Sequence, residues 1–292
     1  MIGEGTMGHI NLLINLLEDP DQEAYLQVSN EILALGVPAV ESLEAAWFST
    51  SDQLIKLRIE EIVHHIQYES LYQELSVWVA SGGHDLLRGF LILNSIRYPS
   101  LDEEKLLADL NKLTRSIWLE LNDHLTSLEK IKVLNHFLFG VHEIGGEVSD
   151  IQVPDHYFLS NLLQSKRGNA VSIGILYIII AQKLQLPVKG VDLTGNFIAC
   201  YTHVPEDFEN DYKPVNEVKF YINPFAQGAV FTRKEITLYL EKAGIEATDR
   251  CFKPADNIIL LRRWCYDLAQ AYSTSGMPLK ARELKPFSRI LR

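Results

Sequence analysis

The sequence predicts an α+β protein that is mostly helical, with a small antiparallel sheet in its second half. Three observations predict it. Apolar residues recur at helical spacing, with short breaks, from residue 9 to about 140. A helix starting at Ala170 is apolar on every side, through Ile173, Leu176, Tyr177, Ile178, Ile179 and Ile180, so it must lie inside a core. After it, the runs 188–193, 197–201 and 218–222 are rich in β-branched and aromatic residues and read as strands.

In the first half, Ile10, Leu13, Ile14 and Leu17 share one helical face, and Asp19-Pro20-Asp21 stops that helix and starts another. Gly36 ends the second helix and Pro38 opens a third, lined by Val40, Leu43 and Trp47. Ser51 and Asp52 precede a fourth, with Leu54, Leu57, Ile59 and Ile62 as its apolar positions. Further helices are expected at 71–79, 85–93, 103–121 and 128–139. Trp47, Trp78, Trp118 and Leu91 are large apolar residues at helical spacing and are expected in the core. The first two helix pairs resemble HEAT-type helical hairpins.

Gly145-Gly146 and Pro154 punctuate a polar stretch and mark a boundary. A short helix is expected at 157–164. Asn169 then caps the buried helix, because its side-chain oxygen can accept from free N–H groups of the first turn, and Ser172 takes the third helical position. Between the later strands, residues 203–214 carry Glu206, Asp207, Glu209 and Asp211 and read as an exposed acidic hairpin loop. Thr232 and Glu235 form a capping-box pair for a helix at 231–243. A helical hairpin follows at 257–291: Leu260, Leu261, Trp264, Leu268 and Tyr272 make one face, Gly276 breaks it and Pro278 begins the partner helix. It resembles a single tetratricopeptide unit, which cannot build a solenoid alone and is expected to brace the core. The expected domains are 1–145, all helical; 146–250, the core; and 251–292, the hairpin packed on it.

The chain has 292 residues, 47% of them apolar, and a net charge of -11. That charge disfavours nonspecific binding of nucleic acid or anionic membrane, which requires clustered cations. The apolar run from Ala170 stops at Gln182-Lys183, short of the roughly 20 residues needed to span a bilayer. No basic stretch followed by an apolar one opens the chain, so a cytoplasmic protein is expected. Three cysteines, Cys200, Cys251 and Cys265, give an odd count without paired spacing, which argues against a disulfide framework. Only the C-terminal end is basic, with Lys280, Arg282, Lys285, Arg289 and Arg292 against Glu283; this reads as a solvated helix face, or else as a docking patch for an acidic partner. Glu60 and Glu61 each precede a histidine, His64 and His65, by four residues, but without a third ligand the pattern reads as a solvated face. His136, His142 and Glu143 fit no common metal spacing. No metal or cofactor is expected.

Four segments carry a family resemblance. Residues 166–173 read Lys-Arg-Gly-Asn-Ala-Val-Ser-Ile, 185–188 read Gln-Leu-Pro-Val, 194–197 read Thr-Gly-Asn-Phe and 222–225 read Ile-Asn-Pro-Phe. In this order they resemble the transglutaminase-like superfamily, with its papain-type thiol site, and most closely its bacterial Sir-B-type regulator branch. That branch looks like Arg-x-Gly-Asn-Pro-Ile-Ser-Leu, Gly-x-Pro-Val, Pro-Gly-His-Phe and Ile-Asp-Pro-Phe. The resemblance implies a buried helix on a small sheet, with a substrate groove at the helix start.

Thiol acyl transfer uses a cysteine at a helix N-terminus, a histidine to exchange the proton and an acid or amide to orient the imidazole. The resemblance puts these roles at Ala170, Asn196 and Asn223, which are expected to converge. None can perform them: alanine has no nucleophile, and asparagine takes no proton near neutral pH. Arg167, Asn169, Ser172, Asn196 and Asn223 are the candidates to line the vestigial groove. Ser172, and Cys200 with His203, are the only nearby replacements for the nucleophile. The sequence therefore favours a non-catalytic binding or regulatory protein with a protein or peptide partner, and the alternative is a hydrolase or acyl transferase with a nonstandard nucleophile.

Overall fold

A computed structural model describes residues 4–146, 153–193, 196–203 and 217–292. The acidic loop expected at 203–214 falls almost entirely outside them. The chain is mostly helical with one small antiparallel sheet, and it divides into two compact units, Met1–Ser76 and Val77–Arg292.

The first unit contains α1 (Glu4–Asn15), α2 (Gln22–Leu35), α3 (Val40–Ser49) and the greater part of α4 (Gln53–Ala80). Ile10, Leu13, Leu17, Ile32, Leu43, Ile59 and Ile62 meet in one core. Asp21 caps α2 by accepting from the Glu23 N–H, and Gly36 ends it at a φ of 66°, a conformation that glycine adopts without strain. The two helices expected at 53 onward and at 71–79 are one, because no glycine or proline interrupts 53–80. Trp47 is half-buried instead of fully enclosed, and its Nε1 donates to Glu60 at 2.9 Å. Glu61 accepts from the Tyr25 hydroxyl and His64 stacks on Tyr68, so this acid and histidine stretch is occupied by aromatic partners.

Arg58 is buried in the first unit, 7% exposed. Its Nη1 donates to the carbonyls of Leu17 (2.6 Å) and Asp19 (2.7 Å) where the first helix ends, and its guanidinium lies over the Tyr25 ring. Arg58→Met keeps the apolar stem but strips both carbonyls of their donor. The expected cost is about 2–3 kcal/mol, read as a lower urea midpoint by circular dichroism. An unchanged midpoint would show that these bonds contribute nothing.

The second unit continues with α5 (Leu86–Ser95), α6 (Glu103–Trp118), α7 (Ser127–Asn135), the strand pair β1 (Gly145–Gly146) and β2 (Arg167–Gly168), and α8 (Leu159–Ser165). The core helix α9 (Ala170–Lys183) follows. Next come β3 (Val188–Leu193), β4 (Asn196–Thr202), β5 (Val218–Asn223) and β6 (Ala229–Phe231), then α10 (Arg233–Lys242), α11 (Asn257–Thr274) and α12 (Pro278–Ile290). β3 to β6 form an antiparallel meander in sequence order. α9 and α11 press on one face: Gly174 lies so close to the Phe197 ring that a Cβ has no room, and Gly190 is as tight against Leu260. By strand alternation the opposite face presents Ile198 and Cys200, which pack with Tyr221, Ile236, Leu240 and Phe252.

Several expectations are corrected. Trp118 is 64% exposed because α6 ends there, three residues earlier than expected, whereas Trp78 and Leu91 are buried. The helix expected to reach 139 gives way at His136 to a wider π-helical stretch, His136–Val141. The three-residue edge strand β6 was not anticipated. The division into units also differs from the expected boundary near 145. α5 is buried along most of its length and packs on α11 through Phe90 and Trp264, so the helices from Val77 onward share their core with the sheet. Trp264 of α11 also meets the Phe158 ring. Among the described residues, no single helix is long and apolar enough to cross a membrane.

Candidate functional site

The site is built from the start of α9. Asn169 Oδ1 accepts from the N–H groups of Val171 (3.0 Å) and Ser172 (2.9 Å), while Ser172 Oγ accepts from the Asn169 N–H (3.1 Å). This reciprocal capping box uses most of the free donors of the helix start. The remaining amide is that of Ala170, which has no acceptor among the described residues. Two acceptor bonds fix Oδ1, so Nδ2 is the other amide atom, and it is buried with no partner among the described residues.

Farther along α9, the buried Tyr177 hydroxyl donates to Asn135 Oδ1 (2.8 Å), and Asn135 Nδ2 donates to the Gly228 carbonyl (2.9 Å). Burial pushes the Tyr177 hydroxyl well above its ordinary range. These bonds tie α9 to α7 and to the turn before β6, and so hold the helix start in place.

A groove of about 320 Å³ opens at that start. Asn169, Ala170 and Val171 form one wall, Asn196 and Phe197 of β4 another, and Tyr157 with Arg263, Asp267, Gln270 and Thr274 of α11 the third. The structure thus brings Ala170, Asn169 and Asn196 together, and leaves the other candidates elsewhere. Ser172 does not line the groove: it is fully buried, and its hydroxyl donates to the His156 carbonyl at 2.6 Å. Its position on the helix turns it inward to complete the cap. Asn223 does not line it either, because its side chain accepts from the Ala226 N–H and starts the short turn Pro224–Ala226. The register, carried one residue past Ala199↔Ile222, sets Asn223 opposite Ile198, one strand across and two residues along from Asn196. Arg167 is exposed on β2, beside Gly145.

The α11 wall was missed from sequence. Arg263, Asp267, Gln270 and Thr274 recur at intervals of three and four beside the apolar stripe, so the polar stripe was legible, but its destination was not. Arg263 donates to Asp267 at 2.7 Å and lies 3.6 Å from Asp192, which Arg250 also approaches at 3.5 Å. Burial holds the Asp267 carboxyl above its ordinary range, with Asp192 adding in the same direction and Arg263 opposing. Burial, with Asp267 adding, likewise raises the Tyr157 hydroxyl, which stays protonated. Its backbone is fixed by Trp264, whose Nε1 donates to the Tyr157 carbonyl at 2.8 Å.

Chemically, the groove offers neutral amides, hydroxyls and one internal ion pair. Among the described residues, neither cysteine nor histidine lines it. Cys200 is fully buried on the sheet face packed with α10, and burial pushes its thiol up to about 12. Among the described residues no group of three or more His, Cys, Asp or Glu side chains is placed to hold a metal ion. His142 lies 3.2 Å from Ser116, and burial, helped by Lys166 and Lys112, lowers its affinity for a proton.

Comparison with known proteins bears on this arrangement. UPF0162 protein BU173 of Buchnera aphidicola subsp. Acyrthosiphon pisum (strain APS) is 26% identical over 138 residues, 46% of each chain. A UPF0162 protein of Xylella fastidiosa (strain Temecula1) is 23% identical over 155 residues, 50% of each chain. The chain spans about half the length of these curated relatives. No solved structure matches it. The model of the transglutaminase-like superfamily matches residues 104–266, from α6 through the sheet to the groove wall at Arg263. With that match covering more than half of the chain, and including the core helix at whose start the groove forms, this protein belongs to the transglutaminase-like superfamily.

Proposed function

We propose that this protein is a binding or regulatory module that keeps the transglutaminase-like groove without its chemistry, and that it holds a peptide segment of a protein partner there. The observation that carries this reading is Ala170 at the groove wall, at the helix start where the superfamily thiol would stand, facing a site lined by Asn196 and, among the described residues, by no imidazole. The Ala170 N–H, the Asn196 and Gln270 amides and Thr274 match the alternating donors and acceptors of a peptide backbone. The helix start serves a carbonyl better than a full anion, since Asn169 Oδ1 already takes the Val171 and Ser172 donors. The four motif segments favour the Sir-B-type regulator branch, with the first unit as a HEAT-like scaffold and α11–α12 as a tetratricopeptide-like brace.

The enzyme reading draws little support from its two nucleophile candidates. Ser172 is spent on the cap, and Cys200 is buried away from the groove. The test selects random displayed peptides on the full chain and repeats the binding on Ala170→Trp, which fills the groove. Peptides enriched on the wild type should lose affinity for the variant. Turnover of peptide or amide substrates by the wild type, abolished by Ser172→Ala or Cys200→Ala, would instead establish the enzyme.

A further inference from the structure

A second cavity, about 580 Å³, runs between α11 and α12. Its rim carries Arg262 from α11, Arg282 and Lys285 from α12, and Arg292 just beyond. Among the described residues no acid lines it, and none of these four cations pairs with a carboxylate. That is notable on a chain with 38 acids and 27 bases. Grouped cations without a local carboxylate make a positive patch, which attracts an oppositely charged partner. The floor is apolar, formed by Ala269, Ala281 and Leu284, with the exposed Tyr266 ring at its edge.

We infer that this cleft docks an acidic linear segment of a partner protein. The length fits a short peptide. On α11 the lining runs from Arg262 to Ser273, and on α12 from Pro278 to Ser288. Either stretch rises about 16 Å at the α-helical 1.5 Å per residue, which matches about five residues of extended chain at roughly 3.3 Å each. Carboxylates would pair with the rim guanidinium groups, and one apolar side chain would rest on the floor between the helices. A polynucleotide fits less well, because the acidic remainder of the chain repels a continuous phosphate backbone. The cleft adjoins the groove at Gln270, which lines both, but its four cations lie outside the groove lining.

The test measures fluorescence anisotropy of a fluorescein-labelled peptide, Glu-Asp-Leu-Asp-Glu, with the full chain. Binding should weaken as salt rises, and Arg282→Glu with Lys285→Glu should lower affinity by about tenfold or more. Both side chains are exposed, so the double variant should keep the wild-type melting curve. A Lys-Lys-Leu-Lys-Lys peptide should not bind. The inference is overturned if the acidic peptide shows no binding at low salt, or if the charge-reversed variant binds it equally. Tighter binding of a five-nucleotide single strand than of the peptide would also overturn it.

Discussion

Trp264→Ala should destabilise the second unit by about 4–6 kcal/mol, the largest loss we expect from any single side chain. Trp264 is fully buried on α11, and its ring meets Phe90 of α5 edge-on at 5.9 Å and Phe158 at 5.6 Å. Truncating a buried tryptophan costs about 3–5 kcal/mol through lost transfer energy and an unfilled cavity. The Tyr157 carbonyl would also lose the Nε1 donor at 2.8 Å, for about 1 kcal/mol more. Domains of this kind have only about 5–15 kcal/mol in total, so the variant should be largely unfolded or show a much lower urea midpoint. Trp264→Phe keeps most of the packing and should lose about 1–2 kcal/mol. Trp118→Ala, at an exposed position, should change stability by no more than about 0.5 kcal/mol. A Trp264→Ala loss as small as that of Trp118→Ala would mean that the three-ring cluster does not hold the hairpin to the core.

The comparison of these two tryptophans shows how far the sequence was legible. Both stand at apolar positions of helical patterns, but burial depends on where the helix ends, and α6 stops at Trp118. Signals that act within one turn were readable. Asn169 with Ser172, and Thr232 with Glu235, form the reciprocal caps that their spacing announces. The all-apolar run of α9 could only be a core helix, and the β-branched runs around it form the meander. Features that depend on distant chain were not readable. β6 is three residues long and is a strand only because β5 lies beside it. α4 runs on to Ala80 because nothing in its sequence stops it, although its apolar pattern falters.

The groove divides in the same way. Ala170 and Asn169 sit where the local cap places them, and Asn196 follows from the strand start. Asn223 shares a motif with the family pattern, yet its side chain turns to the Ala226 N–H, a choice set by the proline turn that follows it. The third wall required knowing that α11 crosses the helix start, which no local spacing reveals. The ion pair of Arg263 and Asp267 then stiffens that wall, at 24% and 19% side-chain exposure.

Returning a thiol to the start of α9 is the second large effect expected, this time on reactivity. In the wild type, Cys200, Cys251 and Cys265 are all buried, and burial holds the Cys200 thiol up at about 12. Iodoacetamide should therefore label the folded protein very slowly. Ala170→Cys places a thiol in the groove beside an unpaired N–H at a helix start, which favours the thiolate. Labelling near pH 7 should rise by about 100-fold over the wild type, reflecting access as well as ionisation. The drop in pKa should be modest, because Asn169 Oδ1 already occupies two of the helix donors. Adding Asn196→His supplies an imidazole across the groove, and its protonated form stabilises the thiolate. The midpoint of labelling against pH should then fall by about one further unit. Amide hydrolysis should stay absent in both variants, since Asn223, whose Oδ1 turns to the Ala226 N–H, does not line the groove where an imidazole orienter is needed. Labelling of Ala170→Cys no faster than wild type would show that residue 170 does not face the groove. Identical pH profiles for the single and double variants would show that residue 196 does not reach it.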